Sequence, residues 1–137
     1  MGNLVCVDTN RRQTMTTESK TVPTYWVRLC MAGDYREAKQ VIRRFCYPPE
    51  EGLCVTVRRQ TYIYNGGEER GFEVGLCNYP RFPKTQEQIW ERARTLAERL
   101  IPALCQWSAL LIDPERTEWI TTRPEYRAEC ANAQPNA

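Results

Sequence analysis

An α+β domain, with one antiparallel sheet carrying two helices on one face, is the fold class this sequence predicts. Three observations carry the expectation. Short runs alternate apolar and polar residues with period two, and two longer stretches repeat apolar residues at helical spacing behind capping signals. Gly- and Pro-rich turn signals separate these segments. The chain has 137 residues, enough for one domain with a real core, and its 42% hydrophobic and 26% charged residues lie near ordinary globular usage.

Residues 1–22 are polar beyond the opening "LVCV" and lack a periodic apolar face, so they read as a partly mobile arm. Leu4 to Val7 can add one short edge strand there. The domain proper is expected over residues 23–122. In "YWVRLCM", Tyr25, Val27, Leu29 and Met31 alternate with Trp26, Arg28 and Cys30, which is strand periodicity with one apolar face. A helix follows behind Asp34, with Glu37 three residues on and Ala38, Val41, Ile42 and Phe45 as its buried stripe. Pro48 and Pro49 end it. "LCVTVRRQTYIY" reads as a long strand that puts Leu53, Val55, Val57 and Ile63 on one face and Thr56, Arg58, Tyr62 and Tyr64 on the other. A bulge near Arg58 to Gln60 is the alternative register.

"NGGEERG" supplies a turn, which makes "FEVGLCNY" the antiparallel partner, with Phe72, Val74 and Leu76 inward and Glu73, Gly75, Cys77 and Tyr79 outward. The second helix starts at a Thr85/Gln88 capping box and carries Ile89, Ala93, Leu96, Ala97, Leu100 and Leu104, with Pro102 disturbing its last turn. "ALLID" and "EWITT" then read as strands around a "PERT" turn, a further C-terminal hairpin. Residues 123–137 form a polar tail expected to fray. The order βαββαβ over Tyr25 to Thr122 resembles ferredoxin-like domains, in which both helices cover one face of the sheet. That superfold hosts many unrelated activities, so the resemblance names none.

The chemistry is bounded first by an absence. The chain has no histidine, which removes the commonest general base and metal ligand. Its seven cysteines, an odd number without close pairs, read as small buried hydrophobes in a reducing, cytoplasmic setting, and neither a metal nor a cofactor is expected. A net charge of +2 gives no general attraction to nucleic acid, and no apolar run is long enough to span a bilayer, so no membrane partner is expected. The carboxylate clusters Glu50/Glu51, Glu68/Glu69 and Asp113/Glu115 all fall in turns, where solvated charge is the ordinary reading. "RGFEV" resembles the start of an RNA-recognition motif, but Glu73 and Val74 depart from it where a small residue and a second ring are wanted.

The outward strand face, by contrast, mixes rings with charge: Trp26, Arg28, Arg58, Tyr62, Tyr64, Glu73 and Tyr79. That is the composition favoured at interfaces. "NYPRFP" adds Arg81 and Phe82 beside it; the prolines serve to carry the chain toward the Thr85 cap, while Arg81 has no structural duty. The expected binding set is therefore Trp26, Arg28, Arg58, Tyr62, Tyr64, Arg70, Tyr79, Arg81 and Phe82. The expected function is a non-catalytic binding or regulatory protein, a phage-borne inhibitor of a host system being one concrete form. It would self-associate through the open sheet face and bind a host protein or small anionic ligand. Two alternatives stand beside it: a single-stranded nucleic-acid binder using Trp26, Tyr62 and Tyr64 as stacking platforms, and a carboxylate-dependent enzyme using Glu68, Glu69 and Arg70.

Overall fold

The computed structural model describes residues 15–126. The expected strand at Leu4 to Val7 and most of the polar tail lie outside the described residues. The elements are β1 (Trp26–Ala32), α1 (Tyr35–Cys46), β2 (Val55–Tyr64), β3 (Gly67–Cys77), α2 (Gln86–Ala103), β4 (Ser108–Ile112) and β5 (Thr117–Thr121), with 3-10 turns at Pro49–Glu51 and Pro124–Tyr126. The strands form one five-stranded sheet in the order β2-β3-β1-β4-β5, and every pairing is antiparallel. The expected α+β class, with two helices and a terminal hairpin, is thus what the chain adopts.

Register follows from period-two alternation, because a slip by one residue would turn the apolar set outward. Leu29 pairs with Val74 on one side and Leu111 on the other, so apolar side chains line up across three strands. Both helices pack on that row: Ala38, Ile42 and Phe45 from α1, and Ile89, Ala93, Leu96 and Leu100 from α2, are buried in one cluster with it. Pairing of β2 with β3 runs unbroken from Val55↔Leu76 to Tyr64↔Gly67, so no bulge interrupts Arg58 to Gln60. A two-residue turn, Asn65–Gly66, closes this hairpin, with Gly66 taking the positive-φ second position at φ 87°.

The caps form as their residue types dictate. Asp34 accepts a hydrogen bond from Glu37 N at 2.9 Å. At Thr85 both halves of the capping box are made: Gln88 N donates to the Thr85 hydroxyl (3.1 Å) and Thr85 N to the Gln88 side chain (2.9 Å). Pro102 sits inside the last turn of α2, which nonetheless runs to Ala103, and Cys105 leaves it in the left-handed region at φ 56°.

Two readings need correction. Among the described cysteines only Cys30 is buried; Cys46 is half-buried, while Cys54, Cys77 and Cys105 are exposed. Their positions follow strand parity and helix ends, which outweigh the general tendency of cysteine to be inside. Asp113 is not a solvated turn charge either. It is buried, and its carboxylate accepts from Glu115 N and Arg116 N (both 2.8 Å) and from Gln86 Nε2 (3.0 Å), which joins the β4–β5 turn to the start of α2. Among the described residues no helix is long and apolar enough to cross a membrane.

Candidate active site on the open sheet face

The side chains opposite the helices come from the even-numbered positions of β1 and β2 and the odd-numbered positions of β3. Cross-strand pairing sets Glu73 between Arg58 on β2 and Cys30 on β1. Although no helix covers this face, Glu73 is only 8% exposed. Arg58 Nη2 donates to its carboxylate at 3.2 Å, and Arg28 Nη1 stands 4.0 Å from the other oxygen. A buried carboxylate needs such partners, because desolvation would otherwise cost several kcal/mol. The Arg28 guanidinium also lies over the Trp26 ring at 5.2 Å, and its buried Nε has no partner among the described residues.

Glycines on either side of Glu73 let neighbouring side chains lie across the sheet. A Cβ at Gly71 would stand 2.7 Å from the Tyr62 ring, and one at Gly75 would stand 2.6 Å from the Thr56 hydroxyl. The Tyr62 ring therefore lies across Gly71, next to Glu73. Burial pushes the Tyr62 phenol up to about 12, and the neighbouring Cys30, Glu69 and Glu73 push the same way. At neutral pH it is a hydrogen-bond donor and holds its proton. Burial, then Glu73, raises the Cys30 thiol against the opposing pull of Arg28 and Arg58, so this cysteine is a neutral thiol and not a nucleophile.

Two cavities flank the cluster. An apolar one of about 410 Å³ is lined by Trp26, Arg28, Thr56, Gly75, Cys77 and Tyr79. A larger one of about 580 Å³ lies beyond Gly71, toward the hairpin end and the start of α1. Through Arg28, which lines it, the apolar cavity adjoins the cluster of Glu73, its two guanidiniums and the Tyr62 phenol. A molecule bearing both positive and negative charge on an apolar ring system fits such chemistry.

The structure brings Trp26, Arg28, Arg58 and Tyr62 together around Glu73, and Tyr79 joins them through the apolar cavity. It does not bring in the other expected residues. Tyr64 lies at the hairpin end, 54% exposed, with its ring against Gly67. Arg70 pairs with Thr61, at a position of the opposite parity, and lines the larger cavity. Phe82 stacks on Tyr79 (6.0 Å between ring centres) and packs on Gly52, while Arg81 lies over the Phe82 ring at 5.7 Å. Glu68 and Glu69 stay exposed on the hairpin. Sequence reasoning set Glu73 on the right face but missed its centrality; the signal was an acid between two glycines, "GFEVG", in the apolar second half of the strand. Among the described residues no group of three His, Cys, Asp or Glu side chains converges in a way that could hold a metal ion.

No family model matches the chain. No curated protein matches it either. Solved structures do. A phage SAM lyase in its apo state superposes with a TM-score of 0.61 at 11% identity, covering 79% of this chain and 98% of that one. A phage SAM lyase in complex with S-methyl-5'-thioadenosine matches with a TM-score of 0.54 at 11% identity, covering 79% and 97%. This finding overturns the expected non-catalytic binding protein, which rested on the absence of histidine and of a recognisable catalytic set in the sequence. At this level of identity the likeness is one of fold: the chain is built like these phage SAM lyase structures across nearly their whole length.

Proposed function

We propose that this chain is a lyase acting on S-adenosylmethionine, with its active centre at Glu73. The observation that supports this reading is the conjunction of a lyase-like fold with a buried carboxylate held between guanidiniums on the open face. S-adenosylmethionine carries a sulfonium, an ammonium and a carboxylate. S-methyl-5'-thioadenosine is what remains when the bond from sulfur to the γ-carbon of the amino-acid arm breaks. The substrate's own carboxylate can make that break: its oxygen bonds to the γ-carbon, the carbon–sulfur pair goes to sulfur, and the sulfonium becomes a neutral thioether. The other product is homoserine lactone, and no water or external proton is consumed.

Such a reaction needs no histidine. It needs the arm folded back on itself, in a site poor in water, because charge is dispersed as the bond breaks. In this chain Glu73 supplies the counter-charge to the cationic groups, Tyr62 a neutral donor, and the cavity at Trp26 and Tyr79 an apolar surface for the thioadenosine.

Incubation of the purified protein with S-adenosylmethionine is expected to release S-methyl-5'-thioadenosine, detected by chromatography. Glu73→Gln should lower turnover by about 100-fold or more while keeping the circular dichroism of the parent. No thioadenosine from the parent protein, or full turnover in the variant, would overturn the reading.

Two finer points belong to it. A ferredoxin-like description is supported by the order β2-β3-β1-β4, to which β5 is added at the edge. Self-association through the open face is supported by its uncovered rings, Tyr64 at 54% and Trp119 at 45% exposure; a sedimentation mass of a single chain at all concentrations would remove it.

A further inference from the structure

The apolar cavity beside Glu73 has a floor of two cross-strand rows. In the inner one Thr56, Gly75 and Arg28 lie side by side, as the pairings Thr56↔Gly75 and Arg28↔Gly75 set them. The outer row begins with Trp26↔Cys77. Pairing of β2 with β3 ends at Val55↔Leu76, so one further step of the same register sets Cys54 opposite Cys77. Exposure alternates along this start of β2: Cys54 and Thr56 are exposed, Val55 and Val57 half-buried, so Cys54 shares the outward face with Thr56. Cys77 is exposed on that face too, and both cysteines line the cavity.

Two free thiols in this relation meet the geometric requirement for a bond. Directly opposed residues of antiparallel strands have Cα atoms about 4.5–5.5 Å apart, inside the roughly 4.4–6.8 Å that a disulfide spans. Cys46 is the other cysteine near this end of β2, and it lines a neighbouring hollow that Cys54 also borders. It stands on the helix side of the sheet, however, packed with Leu53, Val55 and Val57 against the core. Strand parity therefore selects Cys77 over Cys46 as the partner of Cys54.

We propose that Cys54 and Cys77 form a dithiol modification site, oxidised to a cross-strand disulfide by glutathione disulfide, and that this bond narrows the cavity at its outer rim. The thiolate of one cysteine attacks the glutathione disulfide, giving a mixed disulfide and expelling one glutathione thiolate. The thiolate of the other then attacks the protein sulfur of that mixed disulfide and expels the second. The protein gives up two electrons and two protons, and the oxidant becomes two molecules of glutathione. Closure draws the two Cβ atoms to about 3.8 Å and fixes both sulfurs across the rim. The effect on turnover rests on the lyase reading, because this cavity is the surface assigned there to the thioadenosine; the disulfide itself does not.

Mass spectrometry tests the site after oxidation of the purified protein with glutathione disulfide, alkylation of the remaining thiols, and digestion with trypsin and a glutamate-specific protease. Cleavage at Glu50 or Glu51 separates Cys46 from Cys54. A peptide pair joining Cys54 to Cys77 is expected, formed equally in Cys46→Ser and absent from Cys54→Ser and Cys77→Ser. Thioadenosine release from S-adenosylmethionine should fall roughly tenfold on oxidation and return with dithiothreitol. In Cys54→Ser the rate should be the same with and without the oxidant. A link from either residue to another of the seven cysteines, a glutathione adduct that never resolves, or unchanged turnover in the linked protein would each overturn the proposal. A protein that forms the link yet releases no thioadenosine even when reduced would remove the lyase reading and leave the modification site standing.

Discussion

Asp113 shows how one side chain sets a local pH dependence. Burial works to raise its carboxyl pKa, yet the N–H groups of Glu115 and Arg116, the Gln86 amide and the Arg116 charge together outweigh burial and hold it below the ordinary 3.8. A depressed folded-state pKa gives stability that is fully present above the unfolded value and is lost as pH falls through the folded one. Asp113→Ala should therefore cost about 1–2 kcal/mol near neutral pH, the usual worth of such a cap. The gap between variant and parent should narrow below about pH 4, as read from urea unfolding at several pH values. A gap that widens in acid would contradict the assigned role. At this scale the sequence was only partly legible. Parity alone puts Glu73 on the outward face, but its burial depends on Arg58 lying opposite and Arg28 lying within reach one strand over, and both are products of register. The cysteines were misread for the same reason: a tendency averaged over many proteins cannot say which face of a strand a residue occupies.

The connection from β3 to α2 carries the stretch "NYPRFP", and its anchor is the first residue. Asn78 is 7% exposed; its amide donates to Pro23 O at 2.8 Å and its oxygen accepts from Lys84 N at 2.8 Å. Lys84 in turn donates from Nζ to Gly52 O at 2.9 Å, while the Phe82 ring packs against Gly52, where φ is 56°. One loop is thus fastened to the segment before β1 and to the turn before β2. Asn78→Ala removes two part-buried hydrogen bonds, leaving Pro23 O and Lys84 N without that partner, and should destabilise by about 1–3 kcal/mol. Arg81→Ala, which removes only an exposed cation lying over the half-buried Phe82 ring, should stay within about 0.5 kcal/mol. Chemical denaturation of both variants checks the contrast, and a larger loss from Arg81 than from Asn78 would refute it. The prolines announced a turn in the sequence, because their constraints are local. Asn78 did not, because its partners lie 55 residues back and six ahead.

Across the whole molecule, what could be read from sequence is what local periodicity encodes: the elements, their order and their inward faces. Sheet order rests on contacts between distant segments, such as Leu29 with Val74 and Leu111, and no local pattern carries those. The same contacts bear on how the chain unfolds. Val27, Leu29 and Met31 on β1, Phe72 and Val74 on β3, Ala109 and Leu111 on β4, and both helices share one buried cluster. The terminal hairpin is tied into it as well, through the Arg94–Glu118 ion pair and through Arg116, which lies over the buried Trp90 ring at 3.8 Å. A region linked in this way has no part that can melt alone, so residues 23–122 should unfold as one domain in a single transition. Tryptophan fluorescence, which samples Trp90 in the core and Trp107 and Trp119 near the β4–β5 hairpin, should give the same urea midpoint as far-UV circular dichroism. Leu29→Ala, at the centre of the cluster, should shift both midpoints together and cost about 2–5 kcal/mol. A fluorescence change that precedes the loss of secondary structure would mean that the terminal hairpin detaches first, and the single-domain description would then have to give way to a core that ends at β4.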